Sequence, residues 1–129
     1  YHYDNGTLEP FQLVTTLPDD FTSNSRAAAI AVSRGGGYLF ATNRGHDSVV
    51  RFAIDPQTGR LTNPAWQSSG GIQPRFLTVH PDGNSVLVTN VKTDTVVSFA
   101  FSDQDGVLHE GRTVAETGSP VSILFGQTR

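Results

Sequence analysis

The sequence predicts an all-β chain that forms part of a β-propeller, with two complete four-stranded blades and strands of the blades on either side. Three observations predict it. Residues 27–61 laid over residues 74–108, a constant shift of 47 without a gap, agree at twelve of thirty-five positions, and a period of this size is that of one propeller blade. The agreements fall on turns and on alternating apolar positions, among them Thr42-Asn43 with Thr89-Asn90, Val49-Val50 with Val96-Val97 and Phe52 with Phe99. The 13 Gly and 7 Pro set against only 16% charged residues favour turns over long helices, since both interrupt a helix.

Each element follows in chain order. Tyr1-His2-Tyr3 reads as strand, and Asp4-Asn5-Gly6-Thr7-Leu8 echoes the later hairpin Gln57-Thr58-Gly59-Arg60-Leu61. Residues 1–26 are therefore the end of one blade and a loop. That loop is longer than its later counterpart, with Pro18-Asp19-Asp20 and Thr22-Ser23-Asn24-Ser25 inserted. Residues 27–73 make a blade of strand, turn, strand, turn, strand, turn and a weaker outer strand; Val50, Phe52 and Ile54 show the two-residue alternation of a strand. Residues 74–119 repeat it at Val97, Phe99 and Phe101. Pro81-Asp82-Gly83-Asn84 is the sharper of two equivalent turns, because Pro presets φ and Gly accepts positive φ. Arg34-Gly35-Gly36-Gly37 is its counterpart, while Asp55 to Gly59 and Ser102 to Gly106 are matching hairpins. Pro120-Val121-Ser122-Ile123-Leu124 echoes Pro74-Arg75-Phe76-Leu77-Thr78, so residues 120–129 read as the inner strand of a further blade. Such an array does not close a ring, and its open faces need further blades or other copies of the chain.

The totals narrow the chemistry. A formal charge of −3 offers no broad attraction for nucleic acid or an anionic membrane. The absence of Cys removes disulfides, thiolate nucleophiles and thiolate metal ligands, which fits a cytoplasmic protein. No apolar run has the length of a membrane span. The four His are scattered without metal-ligand spacing, so no metal is expected. A chain with no Met that opens inside a strand is expected to have lost its native N-terminus.

At Ala27-Ala28-Ala29-Ile30, Thr42-Asn43-Arg44-Gly45-His46-Asp47-Ser48, Gln73-Pro74-Arg75-Phe76 and Pro81-Asp82-Gly83 the chain resembles the lactonase-type seven-bladed propellers. That family includes bacterial 6-phosphogluconolactonase and fungal carboxymuconate-lactonizing cyclase. WD-type propellers do not carry the Asn-Arg-Gly-His-Asp-Ser run, and the single Trp, Trp66, is followed by Gln67 rather than Asp. The resemblance covers nearly the whole chain and implies the C-terminal third of a seven-bladed parent. It implies a sugar lactone hydrolase or lactone-forming enzyme that uses no cofactor, acting on a small anionic sugar lactone or carboxylate. A non-catalytic propeller scaffold is the alternative.

A site for such a ligand needs cations, and a group that moves a proton at the ester carbonyl. The candidate binding residues are Arg44, Arg75 and His46. Arg44 and Arg75 replace Val91 and Ala28 of the other copy, so blade geometry does not demand them; they bind ligand or form ion pairs between blades. His46 stands where the other copy has Thr93, and is a ligand donor or a surface turn residue. Asp47 recurs as Asp94 and reads as a turn cap. Ala29 occupies a position that is often Glu in the family, so the catalytic group is not assigned.

Overall fold

The structure, a computed structural model, describes residues 1–126. The expected inner strand over 120–129 therefore lies partly outside the described residues. Among the described residues ten strands form three antiparallel sheets. A hairpin pairs β1 (His2–Asp4) with β2 (Thr7–Glu9). Its turn holds Asn5 at φ 45° and Gly6 at φ 91°, as a two-residue hairpin turn demands.

The first four-stranded sheet runs β3 (Arg26–Val32), β4 (Tyr38–Arg44), β5 (Ser48–Ile54) and β6 (Leu61–Ser68), each paired with the next. The second runs β7 (Pro74–Val79), β8 (Ser85–Asn90), β9 (Thr95–Ala100) and β10 (Arg112–Glu116). This is the up-and-down order of a propeller blade. The chain is all-β, as its sequence predicts.

Equivalent turns close in the same way. The Gly36 amide donates to the Ser33 carbonyl at 3.0 Å and the Gly83 amide to the His80 carbonyl at 2.8 Å. Farther out, Gly59 donates to Asp55 at 2.8 Å and Gly106 to Ser102 at 2.9 Å. One difference lies in the outer strands. In the second sheet only an isolated bridge, Phe101 to Leu108, stands where Ile54 pairs with Leu61 in the first, and β10 starts later; the outer pairing slips in both sheets, between Arg51 and Ala53 in the first and between Thr113 and Ala115 in the second.

Residues 120–126 form no strand. The Ser119 amide donates to the Asp94 carboxylate at 2.8 Å, as Gln73 does to Asp47 at 2.9 Å. The chain thus leaves the second sheet as it left the first, but among the described residues no strand lies alongside to build a ladder.

The main core lies between the two four-stranded sheets. Phe40 and Val49 of the first pack with Leu77, Val86, Val88, Val97, Phe99 and Phe101 of the second. Phe101 meets both Phe40 and Tyr38 edge-on, at centroid distances of 4.9 and 5.6 Å, a geometry that aligns the ring edges with the negative ring faces. Alternation sends Ala41, Val50 and Phe52 to the opposite face of the first sheet, beside Leu61 and Trp66. A segment over residues 10–16 lies against that face. The Gln12 side-chain amide donates to the Leu61 carbonyl at 2.9 Å and accepts from its amide at 2.8 Å, standing in for a paired strand.

Candidate functional site: a cationic cleft between two blades

The functional geometry gathers at the end of the sheets where inner strands begin and the β4–β5 and β8–β9 turns lie. At that end both inner strands carry a bulge. Pairing slips between Ala27 and Ile30 in β3, and between Pro74 and Phe76 in β7. Bulges re-aim side chains and are frequent beside active sites. Ala28-Ala29 and Arg75 occupy these irregular positions.

A cleft of about 540 Å³ opens here between the blades. Its basic lining is Arg26, Arg44 and Lys92. Arg26 and Arg44 are direct partners across β3 and β4, and like charges placed opposite each other destabilise a sheet. Among the described residues neither forms a salt bridge, and the Arg44 Nε is buried without a hydrogen-bond partner. A buried guanidinium nitrogen left without an acceptor is costly. An anion in the cleft would offset the repulsion between the two guanidinium groups.

The acidic residue of the cleft is already engaged. Asp47 Oδ1 accepts from the Gln73 amide at 2.9 Å and the Gly45 amide at 3.2 Å, while the Asp47 carbonyl accepts from the Ser69 amide at 2.9 Å. It pins the turn of one blade to the entry of the next, as its recurrence as Asp94 suggests. Among the described residues no free carboxylate lines the cleft, and no group of three His, Cys, Asp or Glu could hold a metal ion.

The structure places the sequence-derived candidates differently. Arg44 lines the cleft. Arg75 is exposed in the β7 bulge and is not part of the cleft lining. His46 also lies outside that lining: its Nδ1 is 2.7 Å from the Ser48 hydroxyl, and its ring meets Phe21 edge-on at 4.7 Å. Ala29 packs against the core between the blades, and its amide donates to the Thr42 hydroxyl at 3.0 Å. Arg26 and Lys92 were missed. A signal for both existed, because their repeat-equivalents are Gln73 and Gly45, so they too are cations that the blade template does not require.

Two sheets of propeller-blade order with a basic cleft at the strand-entry end define a β-propeller segment with a cationic cleft between its blades. A sequence model of the family described as "Lactonase, 7-bladed beta-propeller" matches residues 1–125, and the chain belongs to that family. It is 30% identical over 125 residues to the 6-phosphogluconolactonase of Bacillus subtilis, covering 97% of this chain and 36% of that protein. The structure of a periplasmic gluconolactonase of Pseudomonas aeruginosa superposes with a TM-score of 0.86 at 35% identity, covering 94% of this chain and 34% of the other. A protein of Lactobacillus plantarum superposes with a TM-score of 0.78 at 31% identity, over 84% of this chain and 31% of its own. The chain thus spans about a third of the length of the relatives it matches.

Proposed function

We propose that this chain contributes the cationic wall of a ligand site in a propeller enzyme that hydrolyses a sugar lactone, such as 6-phosphogluconolactone or gluconolactone, or forms a related lactone. The observation that carries the reading is the Arg26–Arg44 pair with Lys92 in a cleft between blades, none of them in a salt bridge among the described residues. Hydrolysis of a lactone puts negative charge first on the carbonyl oxygen and then on the product carboxylate. Guanidinium groups already in place stabilise both without reorganising. The proton-moving group belongs to the rest of the ring in this reading, since the one carboxylate of the cleft is held by two amides.

Arg44→Ala in the intact protein lowers kcat/KM for 6-phosphogluconolactone or gluconolactone by about 10²-fold or more, the scale for losing one oxyanion-stabilising donor. Unchanged turnover of both lactones would remove the cleft from the site. Arg75→Ala is the companion variant, because the β7 bulge leaves its side chain exposed beside the same strand ends.

A second reading, a non-catalytic scaffold that binds a small anion or a protein, is favoured by Ala29, whose methyl packs into the core where family members often carry Glu. Ala29→Glu separates the two: lactone turnover gained or raised supports the enzyme, and silence with retained anion binding supports the scaffold. A cytoplasmic location belongs to the same proposal and is motivated by the cysteine-free sequence. Recovery of the protein in a periplasmic fraction would overturn it.

A further inference from the structure

The two links from outer strand to next inner strand start from the same kind of anchor. The Thr16 carbonyl accepts from the buried Asn43 side chain at 2.7 Å, and the Ser69 carbonyl accepts from the buried Asn90 side chain at 3.0 Å. From these anchors to the equivalent positions Arg26 and Gln73, the chain uses residues 17–25 in the first case and 70–72 in the second, a difference of six residues. The short link packs tightly. Gly71 sits against Asn90 and Thr93, and the Thr93 hydroxyl accepts from the Ile72 amide at 3.2 Å.

The longer link folds back over the β4–β5 turn instead. The Phe21 amide donates to the Pro18 carbonyl at 3.1 Å, forming a turn that sets the Phe21 ring against His46. The Ser25 hydroxyl donates to the Arg44 carbonyl at 3.1 Å and accepts from the His46 amide at 3.4 Å. The Asn24 carbonyl oxygen approaches Gly45 so closely that no Cβ fits there, and Gly45 also holds φ at 120°. Asn24 and Ser25 form a wall of the cleft beside Arg26 and Arg44.

We infer that the link over residues 17–25 is the specificity wall of the cleft. Ser25 and Phe21 are positioning residues that hold Arg44 and His46, and the Asn24 side-chain amide reads a hydroxyl group of the bound acid. The inference rests on the anion-site reading above. Its physical basis is a division of labour. Guanidinium and ammonium groups attract any anion, whereas a neutral amide, with two donors and an acceptor, distinguishes a polyhydroxy acid from a simple one. Asn24 is exposed, and among the described residues its side chain makes no hydrogen bond.

Calorimetric titration of the intact protein with gluconate and with inorganic phosphate tests this. Asn24→Ala weakens gluconate about five- to tenfold, the worth of one hydrogen bond, and leaves phosphate within about twofold of its wild-type affinity. Ser25→Ala weakens both ligands, and Ser25→Thr restores them. Arg44→Ala serves as the reference. If it weakens both ligands while Asn24→Ala leaves the gluconate-to-phosphate ratio unchanged and Ser25→Ala affects neither, the specificity wall is wrong and the anion site stands. If Arg44→Ala changes neither ligand, or the wild-type protein binds neither, the anion-site reading fails and the inference with it.

Discussion

Two asparagines show how much a single hydroxyl changes. Asn43 and Asn90 are equivalent and fully buried. Asn43 has its oxygen satisfied by the Thr16 hydroxyl at 2.7 Å, whereas the Ser69 hydroxyl turns to the Gly71 carbonyl at 2.9 Å and leaves the Asn90 oxygen without a partner. A buried polar group is stabilising only to the extent that its partners are present. Asn43→Ala is therefore expected to cost about 2–3 kcal/mol and Asn90→Ala about 1 kcal/mol less, read as the shift in urea midpoint. Equal losses would show that the missing partner carries no penalty. Gly45→Ala at the cleft combines a left-handed backbone with a collision against Asn24. It should displace the link over residues 17–25, visible as shifted Ser25 and His46 amide resonances.

Individual elements are fastened at the far end of the blades by carboxylates. Asp103, in the outer hairpin of the second blade, reaches the first blade: its oxygens accept from the Ser33 hydroxyl at 2.5 Å and the Gly35 amide at 2.9 Å. Asp103→Ala should lower stability by about 1–3 kcal/mol, the range for charge-assisted hydrogen bonds. Asp82 and Asp55 act within their own turns. The Asn84 amide, and after it His80, hold the Asp82 carboxyl below its ordinary range; the Thr58 amide, the Thr58 side chain and the Gln57 amide do so for Asp55. A depressed folded value means that the unfolded chain takes up the proton first as pH falls. The stabilisation is complete above about pH 5 and is lost as pH drops through the folded values. Asp55→Asn with Asp82→Asn should flatten the acid limb of the stability curve below about pH 4, measured by urea unfolding. An unchanged limb would assign the acid sensitivity elsewhere.

Across the whole molecule, one core serves both large sheets, and this makes them cooperative. Phe99 of the second blade is fully buried in a cluster with Phe40 and Val49 of the first. Phe99→Ala is expected to cost about 3–5 kcal/mol and to melt both blades together. Trp66, on the opposite face of the first blade, is the single Trp and reports that blade by fluorescence. A Trp66 transition that stays in place while circular dichroism shifts would show that the blades unfold separately. The outer faces remain apolar, with Leu13 99%, Leu124 92% and Ile30 69% exposed. Such surface promotes association. Light scattering of the isolated chain should show species larger than monomer, and a strictly monomeric solution would count against open blade faces.

Strand order, turn positions and the capping role of Asp47 were legible in the sequence, because they depend on local alternation and on turn chemistry that repeats at a fixed spacing. The place of Arg44 in the cleft was half legible, as a departure from the repeat. Which cations share that cleft was not. Arg26 lies one residue before the aligned segment, Lys92 belongs to the next blade, and their meeting with Arg44 depends on how two sheets pack. Nor does sequence show that the inserted loop folds onto the Arg44–His46 turn rather than into solvent. The sequence by itself determined an incomplete propeller with a repeat interrupted by cations and one long link. The tertiary structure decided that Arg26, Arg44, Lys92 and the long link converge on one cleft while Arg75 and His46 stay outside its lining, since side chains from different blades meet only once the shared core has set the sheets against each other.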